Sequence, residues 1–233
     1  MSPAAIRVLR LHPWRVSPHR AAAIQEALAG HLRLRDGPRR LRLVAGADAA
    51  YDQAAPLVHA AVVVLAYPDL TLVEQRAASL PVTFPYIPGL LAFREGPALL
   101  RAFEALTVSP DLLFFNGHGI AHPRGLGLAS HLGILLRTPA IGCALQPLLG
   151  SFQEPPPQAG AFTWVRSGRH VVGAALRSRT AVRPIFVSPG YRLSVRRAVR
   201  LTLTLCRGFR LPEPLRWAHQ AANRQRALHA AAR

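Results

Sequence analysis

Polar and apolar residues alternate at helical spacing near the start of the chain. Ser17 followed by Pro18 is a typical helix start, because a capping hydroxyl precedes a proline at the first helical position. Beyond it, apolar side chains recur every three or four residues, which predicts an amphipathic helix. These apolar residues are Ala21, Ile24, Leu28 and Leu32.

Three extended segments follow, over Leu41 to Asp48, His59 to Tyr67 and Leu70 to Leu80. The first two carry runs of Val and Ala that are typical of a buried sheet, and turn-forming Asp and Pro residues lie in the gaps. Because the gaps are short, the pattern predicts an antiparallel meander of three strands.

The middle of the chain alternates helical and extended patterns. A proline-rich loop over Pro81 to Gly89 precedes a helix predicted from Gly96 to Leu106. A short apolar run then leads into a glycine-rich segment, followed by a helix and a strand, which predicts a helix-linked parallel portion of the sheet. These four segments are Leu112 to Phe115, Asn116 to Gly127, Leu128 to Leu136 and Ala140 to Ala144.

Three prolines at 155–157 mark an exposed crossing, after which strand-like and helical patterns complete the chain. The whole pattern predicts one α/β domain over residues 1–233, with a mixed sheet flanked by helices, three meander strands first and parallel strands after. The last predicted strands are Ala161 to Val165, Val171 to Leu176 and Ile185 to Val187, and the last predicted helices are Ser194 to Cys206 and Glu213 to the chain end.

The charged residues of the chain exclude some classes of enzyme and favour one class of partner. All 29 positive residues are arginine, and only 11 carboxylates oppose them, for a net charge of +18. The absence of lysine excludes Schiff-base enzymes, pyridoxal phosphate attachment and phosphate-binding lysines of the Walker type. Since arginine forks pair with phosphate, this charge on a folded, 50% hydrophobic chain favours a nucleic-acid partner. A GC-rich genome explains arginine in place of lysine, but it does not explain the shortage of acids.

Membrane and secretory signals are weak. The longest apolar stretch, Leu57 to Tyr67, contains His59 and has about half the length of a spanning helix. Arginines interrupt the apolar residues at the N-terminus, so no signal-peptide core is present. Cys143 and Cys206 are too few for a disulfide framework or a structural zinc site. We therefore expect a cytoplasmic protein with no membrane partner.

Two carboxylates are informative because so few are present. Asp48 ends a predicted buried strand, where a charge is costly unless it binds something, and a cap or turn residue is the ordinary alternative. Glu95 precedes Gly96 and the predicted helix, so a charge that complements the helix dipole is its ordinary interpretation.

Two loops carry further candidate chemistry. Glycines on either side of His118, in the segment 116–124, let the backbone come close to a ligand. The loop setting of His118 and His122 does not match the helical two-His zinc arrangement. Tyr86 lies between two prolines, as a stiff wedge that unstacks bases would, although a turn tyrosine packed on the core is the commoner outcome.

Taken in order, these segments resemble the successive signatures of the endonuclease V family, and the resemblance covers nearly the whole chain. Four ordered motifs at workable spacing carry it, and two segments in the tail of the chain agree. The matching segments are Val44 to Asp48, Phe84 to Glu95, Gly117 to Arg124, Ala129 to Gly133, Pro184 to Gly190 and Arg210 to His219.

The resemblance implies a ribonuclease-H-like fold whose central mixed sheet carries metal-binding acidic residues. It implies hydrolysis of a phosphodiester bond on the 3′ side of a deaminated base, typically hypoxanthine, with Mg²⁺ or Mn²⁺ as cofactor and no organic cofactor. The implied partner is nucleic acid containing deaminated bases. Members of the family prefer DNA or RNA, and no motif in this chain separates the two.

Residue by residue, the resemblance gives Asp48, Glu95 and His219 as metal-site positions and His122 as a residue near the scissile strand, so Asp48, Glu95 and His122 are catalytic candidates. Tyr86 matches the wedge that fills the gap left by a flipped base. The positions that match the pocket for that base are Gly89, Leu91, Gly117, Gly127 and Leu128.

Two positions depart from the family pattern. Asn116 stands where the family has an aspartate, and a neutral amide oxygen is a weaker magnesium ligand than a carboxylate. Asn116 remains a candidate metal and catalytic residue as a neutral ligand. Leu145 stands where the family has a lysine, and leucine supplies no charge to the phosphate in the transition state.

Three hypotheses about function follow from these residues. The first is an active or weakly active endonuclease V. The second is a protein that keeps the wedge and pocket and binds deaminated nucleic acid without cutting it. The third is a structural or interaction protein whose basic surface contacts nucleic acid without specificity.

Overall fold

A computed structural model describes residues 6–37, 40–52 and 54–231. The described residues form eight strands and five helices. The strands are β1 (Leu43–Tyr51), β2 (Leu57–Ala66), β3 (Leu72–Pro81), β4 (Leu112–Asn116), β5 (Ala140–Ala144), β6 (Phe162–Ser167), β7 (His170–Leu176) and β8 (Ile185–Tyr191). The helices are α1 (Pro18–Ala29), α2 (Leu91–Glu104), α3 (Leu128–Leu136), α4 (Val195–Leu205) and α5 (Glu213–Ala231). The predicted last helix ran to the chain end, and residues 232–233 lie outside the described residues.

All eight strands join one sheet in the order β3-β2-β1-β4-β5-β8-β7-β6. The predicted meander is confirmed, because β1 pairs antiparallel with β2, and β2 with β3. The predicted parallel portion is confirmed for β1, β4 and β5. It stops there: β8, β7 and β6 are antiparallel, so the expectation of parallel strands to the end was wrong. The connections between these last strands hold no helix, and a parallel pairing needs such a crossover.

Helices cover both faces of the sheet, as predicted. On one face, alternate residues of β1 such as Ala45 and Ala47 share a buried cluster with residues of α2 and α3, represented by Phe103 and Leu132. On the other face, intervening residues of the same strand such as Val44 share a second cluster with residues of α4 and α5. This alternation follows from the period of two along a strand. Within the described part of the chain, no helix is long and apolar enough to cross a bilayer.

Helix α2 begins five residues before the predicted start. Leu90 is its N-cap, and Pro97 lies inside the helix although Gly96-Pro97 has the typical sequence of a helix start. Glu95 is therefore an interior residue of α2 and is only 8% exposed. Its interpretation as a charge at the N-terminus of the helix is wrong, and Glu95 is instead a buried carboxyl.

Gly46 fixes the position of α5 on the sheet. A Cβ at this position would lie 1.9 Å from the carbonyl oxygen of Pro214, so only glycine allows the start of α5 to approach β1 this closely. Asp48 lies two residues beyond Gly46, on the same face of β1. His219 lies five residues beyond Pro214, about one and a half turns along α5. The close approach at Gly46 thereby brings these two side chains together.

Candidate active site

The ends of two parallel strands place Asp48 beside Asn116. The β1–β4 register pairs Ala47 with Phe115, so the next residues of the two strands are neighbours. Asn116 Nδ2 donates to Asp48 Oδ1 at 3.1 Å, and the backbone N–H of Ala49 donates to the same oxygen at 2.8 Å. Asp48 lies inside β1 and is 5% exposed, so its alternative interpretation as a cap or turn residue is wrong.

His219 reaches the same carboxylate from α5. Its Nδ1 lies 2.8 Å from Asp48 Oδ2, and this hydrogen bond is the main cause that raises the pKa of His219. Its Nε2 lies 3.2 Å from Asn223 Nδ2. Both oxygens of Asp48 therefore accept hydrogen bonds from groups of the protein itself.

Glu95 contributes a second buried carboxyl. Tyr51 donates its hydroxyl to Glu95 Oε1 at 3.0 Å, and the Arg94 guanidinium lies 4.6 Å from the centre of the Tyr51 ring. Burial is the main cause that raises the pKa of Glu95 to about 8, and the charge of Asp48 raises it further. The carboxyls of Asp48 and Glu95 thus repel one another in a poorly solvated place.

The four predicted metal-site residues, which we call the acidic cluster, suit a hard cation by their chemistry. Two carboxylates, an amide oxygen and an imidazole form an oxygen-rich donor set, and a cation would offset both the burial and the repulsion by Asp48 that raise the pKa of Glu95. Across residues 6–37, 40–52 and 54–231, however, no three His, Cys, Asp or Glu side chains have an arrangement ready to hold a metal. Asn116 presents its amide nitrogen to Asp48. The members of the cluster are Asp48, Glu95, Asn116 and His219.

A cavity, which we call the base pocket, adjoins the acidic cluster. Gly117 follows Asn116 directly, and Leu91 lies one turn before Glu95 on α2. A Cβ on Gly117 would lie 3.3 Å from Leu128 and 3.8 Å from Leu91, so the three residues meet. The side chains and backbone that line the cavity belong to Gln25, Gly89, Leu91, Ala92, His118, His122, Gly127, Leu128 and Leu148.

At two glycines of the pocket the structure disfavours any side chain. Gly89 has a φ of +81°, a conformation that disfavours other residues. A Cβ on Gly127 would lie 2.4 Å from the carbonyl oxygen of His118. The five residues that the sequence assigns to a base pocket are thus brought together, and four of them line the cavity, with Gly117 just behind Leu128.

Tyr86 and Leu145 lie on the surface. Tyr86 is 70% exposed between its two prolines, so its alternative interpretation as a core-packed turn residue is wrong. Leu145 directly follows β5 and is 42% exposed. Cys143, two residues earlier, pairs with Asn116 in the sheet, so Leu145 leaves the sheet at the edge where the acidic cluster lies.

His122 is enclosed in the wall of the base pocket. It is 3% exposed, and burial is the main cause that lowers its pKa to about 4. Its Nε2 donates to the carbonyl of Gly89 at 2.8 Å, and its Nδ1 accepts from the backbone N–H of Arg124 at 3.2 Å. Both ring nitrogens are thus engaged with backbone atoms, and the catalytic role expected for His122 stays a prediction.

Three polar residues of the site were not predicted from the sequence. Tyr51 and Arg94 reach the acidic cluster through Glu95, and nothing in their sequence context indicates this. Gln25 lines the base pocket, and it does have a signal in the sequence: it occupies a position of the apolar stripe of α1, between Ile24 and Leu28. A polar residue in such a stripe is buried only when its hydrogen bonds are satisfied.

The buried histidines near the pocket give the protein a pH dependence of stability. Burial lowers the pKa of His118 and His122 to about 4, and that of His131 to about 3. The unfolded chain therefore takes up these protons first as the pH falls, so we expect stability to decrease from about pH 6.5 towards pH 4.

Thermal unfolding at half-unit pH intervals measures this loss of stability at acid pH. His131→Gln should flatten the acid side of the curve, whereas the exposed control His19→Gln should leave its shape unchanged. Glu95 acts in the opposite direction, because its raised pKa makes the fold lose stability as the pH rises from about 4.5 to about 8. Parallel curves for the wild type and His131→Gln would contradict the prediction.

Comparison with known proteins agrees with the resemblance of the motifs. The sequence profile described as Endonuclease V matches residues 26–220. An Endonuclease V of Methanothrix thermoacetophila is 49% identical over 92% of this chain and 94% of its own length. The crystal structure of the Endonuclease V from Streptomyces avermitilis superposes with a TM-score of 0.88 at 40% identity, covering 99% of this chain and 100% of that one.

A further relative was crystallised with a ligand. The Ciona intestinalis Endonuclease V, in complex with a 24mer DNA containing an inosine followed by a ribo-adenosine, superposes with a TM-score of 0.77 at 26% identity. That match covers 89% of this chain and 96% of the Ciona chain. The similarity of the solved Endonuclease V structures confirms the ribonuclease-H-like fold predicted for the mixed sheet and its flanking helices. From its motifs, its fold and these matches, this chain belongs to the endonuclease V family.

Proposed function

We propose that this protein recognises a deaminated base, hypoxanthine above all, in nucleic acid and hydrolyses the phosphodiester bond on its 3′ side. The observation that carries the proposal is that two sites are adjacent: Asn116 of the acidic cluster directly precedes Gly117, which packs against Leu91 and Leu128 of the base pocket. A base held in the pocket would keep its own backbone beside the carboxyls. The Ciona relative in complex with inosine-containing DNA supports this choice of ligand.

The residues of the acidic cluster would hold a divalent cation, Mg²⁺ or Mn²⁺, in this reaction. When bound, such a cation supplies an activated water and stabilises the charge that develops on the phosphate. Tyr51 is hydrogen-bonded to Glu95, and His219 is hydrogen-bonded to Asp48, so each carboxylate has an orienting partner. The arginine-rich surface attracts the phosphate backbone of the strand.

A second candidate function is binding without cleavage, and the Asn116–Asp48 hydrogen bond favours it. An amide nitrogen donates to Asp48 Oδ1, and an amide carries no negative charge that would attract a cation. Leu145, exposed at the same edge, supplies no cation to the phosphate. In this form the protein would mark deaminated sites as a specific, uncut complex.

One assay separates these candidates. The purified protein is incubated with duplex and single-stranded DNA and RNA that carry hypoxanthine at one position, with Mg²⁺, Mn²⁺ or EDTA. A metal-dependent nick on the 3′ side supports the endonuclease. A specific complex without a nick supports the binding protein. Equal affinity for modified and unmodified strands overturns both, in favour of an interaction protein that contacts nucleic acid without specificity.

Tyr86 gives a direct prediction about recognition. Because this ring is 70% exposed, Tyr86→Ala should leave thermal stability unchanged. It should weaken binding to a hypoxanthine-containing strand roughly ten- to a hundredfold, the worth of one base–aromatic contact of about 1–3 kcal/mol. Fluorescence anisotropy measures the affinity. Leu228→Ala removes an apolar side chain of similar exposure on α5 and should bind like the wild type; equal losses in the two variants would contradict a wedge role.

A further inference from the structure

Gln25 is a buried amide in the apolar face of α1. It is 1% exposed, and its neighbours on that face are Ala21, Ile24 and Leu28. An amide in such a place must satisfy its hydrogen bonds within the protein, since burying it unbonded is costly. All of its hydrogen-bond partners belong to the two loops that form the base pocket.

The amide nitrogen of Gln25 joins the two walls of the pocket. It donates to the carbonyl of Gly89 at 3.0 Å and to the carbonyl of Leu126 at 3.0 Å. Gly89 lies two residues before α2, on the wall that continues into Leu91. Leu126 lies two residues before α3, on the wall that continues into Leu128. One side-chain group is thus hydrogen-bonded to both walls.

Arg124 and His122 complete the linkage. Arg124 Nε donates to Gln25 Oε1 at 2.7 Å, and Arg124 Nη2 donates to the carbonyl of Gly89 at 2.9 Å. His122 donates to this same carbonyl. The carbonyl of Gly89 therefore has three donors around it, which is more than its two lone pairs can satisfy equally. Loss of His122 or Arg124 leaves the Gln25 nitrogen bonded to both walls, whereas loss of that nitrogen removes its bond to Leu126 and leaves Gly89 bonded to His122 and Arg124.

Resting on the proposed function, we propose that Gln25 is the positioning residue that sets the width of the base pocket, and that this width selects hypoxanthine over guanine. Guanine differs from hypoxanthine by one exocyclic amino group. Walls held at a fixed distance reject that extra group by crowding, whereas walls free to separate admit it. Gln25 acts on the base through Gly89 and Leu126, and it has no part in the hydrolysis itself.

The variant Gln25→Glu tests the linkage without changing the shape of the side chain. The carboxylate still accepts from Arg124, but it has no donor for the carbonyls of Gly89 and Leu126. Glu26→Gln makes the opposite exchange at the adjacent, exposed position and is the matched control. Binding is measured by fluorescence anisotropy with Ca²⁺, on oligonucleotides that differ only in hypoxanthine or guanine at one position.

We expect the ratio of hypoxanthine to guanine affinity to fall about tenfold or more in Gln25→Glu and to stay unchanged in Glu26→Gln. General loss of stability would lower the folded fraction and weaken both complexes equally, so the ratio isolates the positioning role. A folded Gln25→Glu protein that keeps the wild-type ratio overturns the inference alone. A wild type without preference for hypoxanthine overturns the proposed function, and the inference with it.

Arg124→Met provides the second test if Gln25→Glu does not fold. It removes the hydrogen bonds of Arg124 to Gln25 and Gly89 while keeping an unbranched side chain of similar length. We expect the affinity ratio to fall in the same direction, by a smaller factor, because Gln25 still reaches both walls. An unchanged ratio in a folded Arg124→Met protein overturns the inference.

Discussion

The double variant Asn116→Asp with Leu145→Lys is expected to cleave a hypoxanthine-containing strand about a hundredfold faster or more, with Mg²⁺ present. The aspartate adds a third carboxylate beside Asp48 and Glu95 and removes the amide that donates to Asp48. The lysine adds a cation at an exposed position of the same sheet edge, where it stabilises charge on the phosphate. Each electrostatic contribution of this kind is worth about 2–4 kcal/mol in the barrier, so a hundredfold is a modest expectation for two.

Single-turnover rates of the wild type, both single variants and the double variant measure this effect. Asn116→Asp alone should lower the Mg²⁺ concentration needed for half-maximal rate. Leu145→Lys alone should raise the rate at saturating Mg²⁺. Leu228→Lys adds the same charge to an exposed position of α5 and should change neither. A folded double variant that cuts no faster than the wild type would show that these two positions do not limit cleavage.

Gly46→Ala is expected to have the largest effect on the fold, a loss of about 3 kcal/mol or more in the free energy of unfolding. The new methyl group would lie 1.9 Å from the carbonyl oxygen of Pro214, and backbone atoms of both α5 and β1 would have to move apart. The same displacement carries His219 away from Asp48, so specific binding should weaken together with stability.

Chemical denaturation measures the stability change, and Gly30→Ala is the matched control. Gly30 has a φ of −62°, and a Cβ there would lie 3.5 Å from its nearest neighbour, an ordinary contact. This control should be neutral or slightly stabilising, since alanine restricts the unfolded chain more than glycine does. If Gly46→Ala is as stable as Gly30→Ala, α5 does not depend on close contact with β1 in solution.

The sequence predicts most of the elements because their local signals agree with the final structure. Helix α1 begins at Pro18 after the Ser17 cap, as its sequence indicates, and Ser17 accepts from the backbone of Arg20. Helix α2 is the exception: Gly96-Pro97 is a typical start, yet tertiary packing of Phe93 and Glu95 extends the helix back to Leu91. Local chemistry cannot predict an extension that packing elsewhere in the chain stabilises.

The sequence likewise predicts one part of the candidate site and not the other. The motifs of the chain identify Asp48, Glu95, Asn116 and His219 as candidates, and the structure brings them to one sheet edge. Contacts across long sequence separations could not be predicted, because no local pattern encodes them. Gln25 bonds to residues 64 and 101 positions away.

The Asp48–His219 pair determines when the acidic cluster can form during protein synthesis. The two residues are 171 positions apart. During synthesis the ribosome therefore delivers Asp48, Glu95 and Asn116 many seconds before α5 exists, at about 5–20 residues per second. Until α5 docks on Gly46, the hydrogen bond between His219 and Asp48 Oδ2 is missing, so the acidic cluster of a growing chain is incomplete. Assembly of the complete acidic cluster is thus coupled to the synthesis of α5.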